Sequence, residues 1–145
     1  MINRLLALCF IALFVTASAL MAEKRSEGLF VTVTSGDPQT QMMAMVLSTQ
    51  ALNKEASVRM LLCGPGGDLA LQKGEETLLK TRMGDRSPQM LLRNLIKNGA
   101  VVEVCAIYLP NKGVDAEALI EGVEAARPPV IADYLLSPQW EKMTF

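Results

Sequence analysis

The chemistry this chain could perform rests on its thiols. Cys105 closes a short apolar, β-branched run (AVVEVC, 100–105) just before Pro110, Asn111 and Gly113, which favour turns. Such a run reads as a strand buried on both faces. The carboxyl end of such a strand is where open α/β sheets place their reactive groups. Cysteine reacts as its thiolate, which forms more readily near a helix N-terminus or a cation. Lys112, on the loop that follows, is a candidate cation, whereas Glu103 shares a face with Cys105 at period two and opposes ionisation unless it is itself paired. The competing reading is a buried structural cysteine. Cys63 ends a second apolar run, VRMLLC (58–63), on the same sheet edge.

Other chemistries find little support. Histidine is absent, which excludes most zinc, haem and His-dependent catalytic sites. No metal site and no cofactor is expected. Met42, Met43 and Met45 are soft donors that would suit copper(I), but they are spread around a helix and read as core fillers. The Thr34-Ser35-Gly36-Asp37 turn could face a phosphate, but Asp37 would repel it and few aromatics are present to cover a flavin. Gly64 to Gly67 lacks the Lys-Ser/Thr of a nucleotide loop and reads as a turn.

The chain has 145 residues, half of them hydrophobic and a fifth charged, which suits one globular domain. Residues 1–22 read as a secretory signal peptide: a basic start at Arg4, an apolar run from Leu5 to Val15, then small residues with cleavage after Ala19 or Ala22. The alternative is an N-terminal membrane anchor, for which the run is slightly short of a ~20-residue span. Cleavage implies a periplasmic or secreted domain over 23–145, without further membrane contact. Setting Arg4 aside lowers the 14 basic side chains to 13 against 15 acidic ones, a net charge of −2. Nucleic acid is therefore not an expected partner. Two remaining cysteines are too few for a disulfide-built miniprotein.

The elements that must hold Cys105 follow in order. Leu29 to Ser35 reads as a first strand, and Asp37 caps a helix opened by Pro38 that runs to about Asn53. Val58 to Cys63 is the second strand. From Asp68 to Arg86 the pattern is weak, with one short helical piece over Glu75 to Thr81 inside a long loop. Ser87-Pro88 caps the next helix, which Gly99 ends. After the Cys105 strand, Asp115 caps a helix over Ala116 to Glu121. The tail reads as a helix over Val130 to Leu136, with short strands at Val123 to Ala125 and Lys142 to Phe145. Alternating strands and helices imply an α/β fold with a mostly parallel five-stranded sheet and helices on both faces, of flavodoxin-like type. In a flavodoxin-like 2-1-3 order the first and third strands adjoin, so Cys105 sits beside Ser35 and the Asp37-capped helix start. Cys63 then lies two strand spacings away, roughly 9–10 Å, too far for a disulfide without loop movement. Cys63 reads as structural, with a resolving thiol or an intersubunit partner as alternatives.

The strand ending in Cys105, followed by Lys112-Gly113-Val114-Asp115, resembles the DsrE-like sulfur-relay family, small α/β proteins related to DsrE and TusD. The likeness extends from LFVTVTSGD (29–37) to the closing KMTF (142–145). It implies a YchN-like sheet with its last strand at the C-terminus. It also implies a persulfide carried on the cysteine matching Cys105, and trimers or hexamers of one chain. Three residues beyond Cys105 stands Tyr108, so there is no CxxC pair. The expected function is binding or transfer of sulfane sulfur on Cys105, as a sulfurtransferase or persulfide carrier. Ser35, Asp37, Glu103 and Lys112 would surround or tune the thiol, and sulfur-donor and acceptor thiols would be its partners. The alternative is a non-catalytic oligomeric binding module of the same fold.

Overall fold

The computed structural model describes residues 26–145 apart from residues 75 and 83, so the expected signal peptide lies outside the described residues. Five parallel strands form the central sheet: β1 (Gly28–Val33), β2 (Ser57–Leu62), β5 (Val101–Val104), β6 (Val123–Ala125) and β7 (Trp140–Thr144). A separate antiparallel hairpin joins β3 (Leu79–Thr81) to β4 (Gly84–Arg86). Between them run α1 (Pro38–Asn53), α2 (Pro88–Lys97), α3 (Tyr108–Lys112) and α4 (Pro128–Leu136). Among the described residues no helix is long and apolar enough to cross a membrane.

Local chemistry sets the helix starts as expected. The Asp37 carboxylate accepts hydrogen bonds from the Thr40 N–H and hydroxyl, both at 2.8 Å, and Pro38 fills the first helical position, where no N–H is needed. Ser87 does the same for α2, accepting from the Met90 N–H at 3.1 Å. Two cores form on the two faces of the sheet. The larger holds Val31, Val33, Met60, Leu62, Val102 and Val104 against Met45 of α1 and Leu92 and Leu95 of α2. The smaller packs Phe30 against Ile131 and Tyr134 of α4 and against Trp140. β1 feeds both cores, with Phe30 and Val31 fully buried on opposite sides, as a central strand must.

The sheet order is β6-β5-β2-β1-β7. The five-stranded α/β class with helices on both faces is thus borne out, but the 2-1-3 order is not: β5 pairs with β2, and the free edge of β1 takes β7. The observed order brings a pair of opposite charges together. Arg59 is the one charge within β2, and Glu103 the one within β5. Both are largely buried, and Arg59 Nε meets Glu103 Oε2 at 2.8 Å only because the two strands adjoin. A buried cation and a buried carboxylate must find each other.

Smaller expectations also change. The helical piece over Glu75 to Thr81 is not formed; Leu79–Thr81 is a strand, and Glu75 lies outside the described residues. Gly64 to Gly67 is more than a turn, since it opens a 3-10 helix over Gly64–Ala70. The segment after Asp115 is only a 3-10 turn, Ala116–Ala118, and the Asp115 side chain makes no capping bond. Pro110 does not interrupt the chain, because it sits in the first turn of α3, whose N–H groups lack helical partners anyway. Gly113 ends that helix in the left-handed conformation, at φ 70°. Met42 and Met45 enter the core as expected, whereas Met43 is exposed.

Candidate functional site

The strand order brings the two cysteines together. Leu62 and Val104 are register partners, and Cys63 and Cys105 are the next residues on each strand. The ladder continues through them: the Cys105 N–H donates to Leu62 O at 2.8 Å, and the Cys63 N–H to Val33 O at 2.9 Å. The expected separation of two strand spacings is therefore corrected to one. Both thiols are unbridged and half-buried, and both line one cleft. Burial, together with the adjacent Cys105, pushes the Cys63 thiol up to about 11. Cys63 thus keeps its proton at neutral pH.

The thiols open into a cleft of about 560 Å³ whose walls include Pro65, Ile107, Tyr108 and Lys112. Ile107, two residues beyond Cys105, is 67% exposed and forms an apolar rim. On the cleft wall the Tyr108 hydroxyl donates to Asp68 Oδ1 at 2.5 Å, and Lys112 Nζ donates to the same oxygen at 2.7 Å. Burial raises the Asp68 carboxyl, but the bonds from Lys112 and Tyr108 outweigh it and hold the group below its ordinary value. Burial and the neighbouring Asp68 charge raise the Tyr108 hydroxyl, which stays protonated as the donor. Lys112 reaches the thiol cleft as expected, with its ammonium committed to Asp68. Gly67 makes this wall possible. A Cβ there would stand 2.4 Å from Tyr108 Cε2, so only glycine lets the ring lie against the loop.

The other expected site residues are placed differently. β2 stands between β1 and β5, so Ser35 and Asp37 lie one strand further from Cys105 than expected. Ser35 Oγ accepts from the Asp37 N–H at 3.0 Å. The Asp37 carboxyl, held low by the Thr40 N–H and hydroxyl, serves as the α1 cap. Gly36 and Pro38, beside them, line an adjoining cavity of about 420 Å³ that shares Pro65, Asp68 and Lys112 with the thiol cleft. Glu103 shares the Cys105 face of its strand, but its carboxylate is turned to Arg59. Sequence reasoning missed the Cys63 partnership and the Asp68–Tyr108 bond. The first was signalled by opposite charges on two apolar strands. No sequence signal marks the second, which links residues 40 apart in sequence.

No family model matches the chain, and no curated protein matches it. Several solved structures share its fold. The YchN protein of E. coli superposes with a TM-score of 0.61 at 22% identity, covering 81% of this chain and 99% of that one. The protein of unknown function MTH1491 from Methanobacterium thermoautotrophicum gives 0.59 at 13% identity, with the same coverage. At these identities the likeness is one of fold.

Proposed function

We propose that this chain is an exported, homo-oligomeric DsrE-like protein that carries sulfane sulfur as a persulfide on Cys105. The observation that carries the reading is the placement of Cys105. It ends a buried strand, opens into a solvent cleft, and has a second thiol beside it on the neighbouring strand. In the loading step the Cys105 thiolate attacks the outer sulfur of a donor persulfide or polysulfide. A sulfur–sulfur bond forms on Cys105, and the donor leaves as a thiolate. In the unloading step an acceptor thiolate attacks the outer sulfur of the Cys105 persulfide, and Cys105 leaves as its thiolate. No metal or cofactor is needed for either step. The Cys63 thiol stabilises the charge that returns to Cys105, as a hydrogen bond to a charged group does.

The motif resemblance around Cys105 and Lys112-Gly113-Val114-Asp115 and the YchN-like fold support sulfur relay as the family setting. The exposed Ile107 beside the thiol offers an apolar contact for a donor or acceptor protein. Met43, Val46 and Leu47 on α1, with Leu135 and the 83% exposed Leu136 on α4, offer apolar surface for self-assembly. A leader over residues 1–22 would put the domain in the periplasm or outside the cell, where the donor would be a polysulfide or a protein persulfide.

Intact-mass spectrometry after exposure to polysulfide tests this. A gain of one reducible sulfur is expected in the parent chain and in Cys63→Ser, and none in Cys105→Ser. No gain in the parent chain, with slow alkylation of Cys105, would leave a binding module that has this fold without the chemistry.

A further inference from the structure

The cleft holds two thiols, and the carrier reading uses the sulfur of only one. Cys63 and Cys105 follow directly on register partners of adjacent parallel strands, which run about 4.8 Å apart. That spacing falls within the roughly 4.4–6.8 Å that α-carbons span across a disulfide. Both side chains line the same cleft. A sulfur added to Cys105 is therefore formed within reach of a second nucleophile on the same chain.

Resting on the persulfide reading above, we propose that Cys63 is a resolving thiol that converts the Cys105 persulfide into hydrosulfide and an intramolecular disulfide. The Cys63 sulfur attacks the inner sulfur, Cys105 Sγ. The bond between Cys105 Sγ and the outer sulfur breaks, and a Cys63–Cys105 bond forms. The outer sulfur leaves with the electron pair, and the proton given up by Cys63 balances the hydrosulfide that departs. The sulfane sulfur is reduced, the two cysteine sulfurs are oxidised to the disulfide level, and no outside oxidant enters. Two equivalents of an external thiol, or one dithiol, then return the pair to its reduced form. The protein thereby stands between a reaction that supplies sulfane sulfur and two that consume its products: one takes hydrosulfide, the other is a dithiol–disulfide exchange.

The raised Cys63 thiol sets the timing. Well below about 11, the thiolate fraction of Cys63 grows about tenfold for each pH unit. Resolution is thus slow near neutrality, leaving time for transfer to an outside thiol, and speeds up as the solution becomes alkaline. The persulfide is a carrier first and a source of sulfide second.

The test loads the full chain with polysulfide, removes excess reagent and external thiols, and follows hydrosulfide release and peptide-mapped disulfides at about pH 7.5 and about pH 9. Expected is one hydrosulfide for each Cys63–Cys105 disulfide, about tenfold or more faster at the higher pH. Cys63→Ser and Cys63→Ala should load on Cys105 and keep the persulfide at least about tenfold longer. Equal release rates in the parent and both variants would overturn the resolving role while leaving the carrier reading intact. Sulfane sulfur found on Cys63 without hydrosulfide would overturn it too, by showing attack on the outer sulfur. Failure of Cys105 to load at all would instead overturn the carrier reading and this inference with it.

Discussion

Two clusters in this molecule contain the same parts, a carboxylate, a cation and a tyrosine, yet serve different ends. Glu103 and Arg59 meet beneath α4 with side chains 8% and 13% exposed, and Arg59 stacks over the Tyr134 ring, 4.3 Å from its centroid. Asp68, Lys112 and Tyr108 meet on the wall of the thiol cleft, with Asp68 and Lys112 side chains 52% and 42% exposed. The first cluster is closed and ties two adjacent strands together. The second is open and shapes what can approach Cys105. Identical chemistry becomes architecture when buried and site wall when wet, because solvent screens the second pair and cannot reach the first.

Breaking the buried cluster should have the largest effect. Glu103→Ala leaves Arg59 buried without its counter-charge and should lose about 3–5 kcal/mol in a urea titration. Arg59→Met combined with Glu103→Leu should recover most of that loss, since an apolar pair of similar volume often replaces a buried ion pair without penalty. Cys105 alkylation in the double variant should match the parent. An unrecovered double variant would contradict a purely architectural role.

A smaller effect is expected at the cleft wall. Gly67→Ala drives a Cβ into the Tyr108 ring, 2.4 Å from Cε2, and overpacking of that kind costs about 1–3 kcal/mol. Displacing the ring should also widen the cleft, so Cys105 should alkylate faster in this variant while thermal stability falls. An unchanged alkylation rate would show that Tyr108 does not limit access.

The smallest effect belongs to Lys112→Met, worth at most about 1 kcal/mol because the pair is exposed. Its signature is in the acid range. The Asp68 carboxyl is depressed despite its burial, so its contribution is present above the ordinary carboxylate value and is lost as pH falls through the depressed one. Removing Lys112 raises Asp68 toward its ordinary value, so the acid loss of stability should be smaller and should be complete at a higher pH than in the parent chain. Equal acid profiles would remove Lys112 from this network.

The helices were legible because their signals are local. Asp37-Pro38 and Ser87-Pro88 carry a cap and a first-turn proline within two residues, and the C-terminal strand and α4 followed from apolar runs set off by prolines. Strand order was not legible from periodicity, since β1, β2 and β5 all read as buried apolar runs. The feature that accompanies the order is relational, one positive charge in β2 meeting one negative charge in β5. The candidate nucleophile Cys105 could be placed at its strand end from sequence. Its neighbour could not, because Cys63 comes beside it only through that same pairing. The wall was hidden for a related reason: Pro110 reads as a break in sequence but is harmless in the first turn of α3, which carries Tyr108 and Lys112 to Asp68.

The most direct test of the central claim, that Cys105 holds sulfane sulfur beside a second thiol, is a crystal structure of the reduced protein soaked briefly in polysulfide. Continuous density for one added sulfur is expected on Cys105 Sγ, projecting into the cleft near Ile107, with Cys63 adjacent. An unmodified Cys105, or the added sulfur on Cys63 alone, would contradict it.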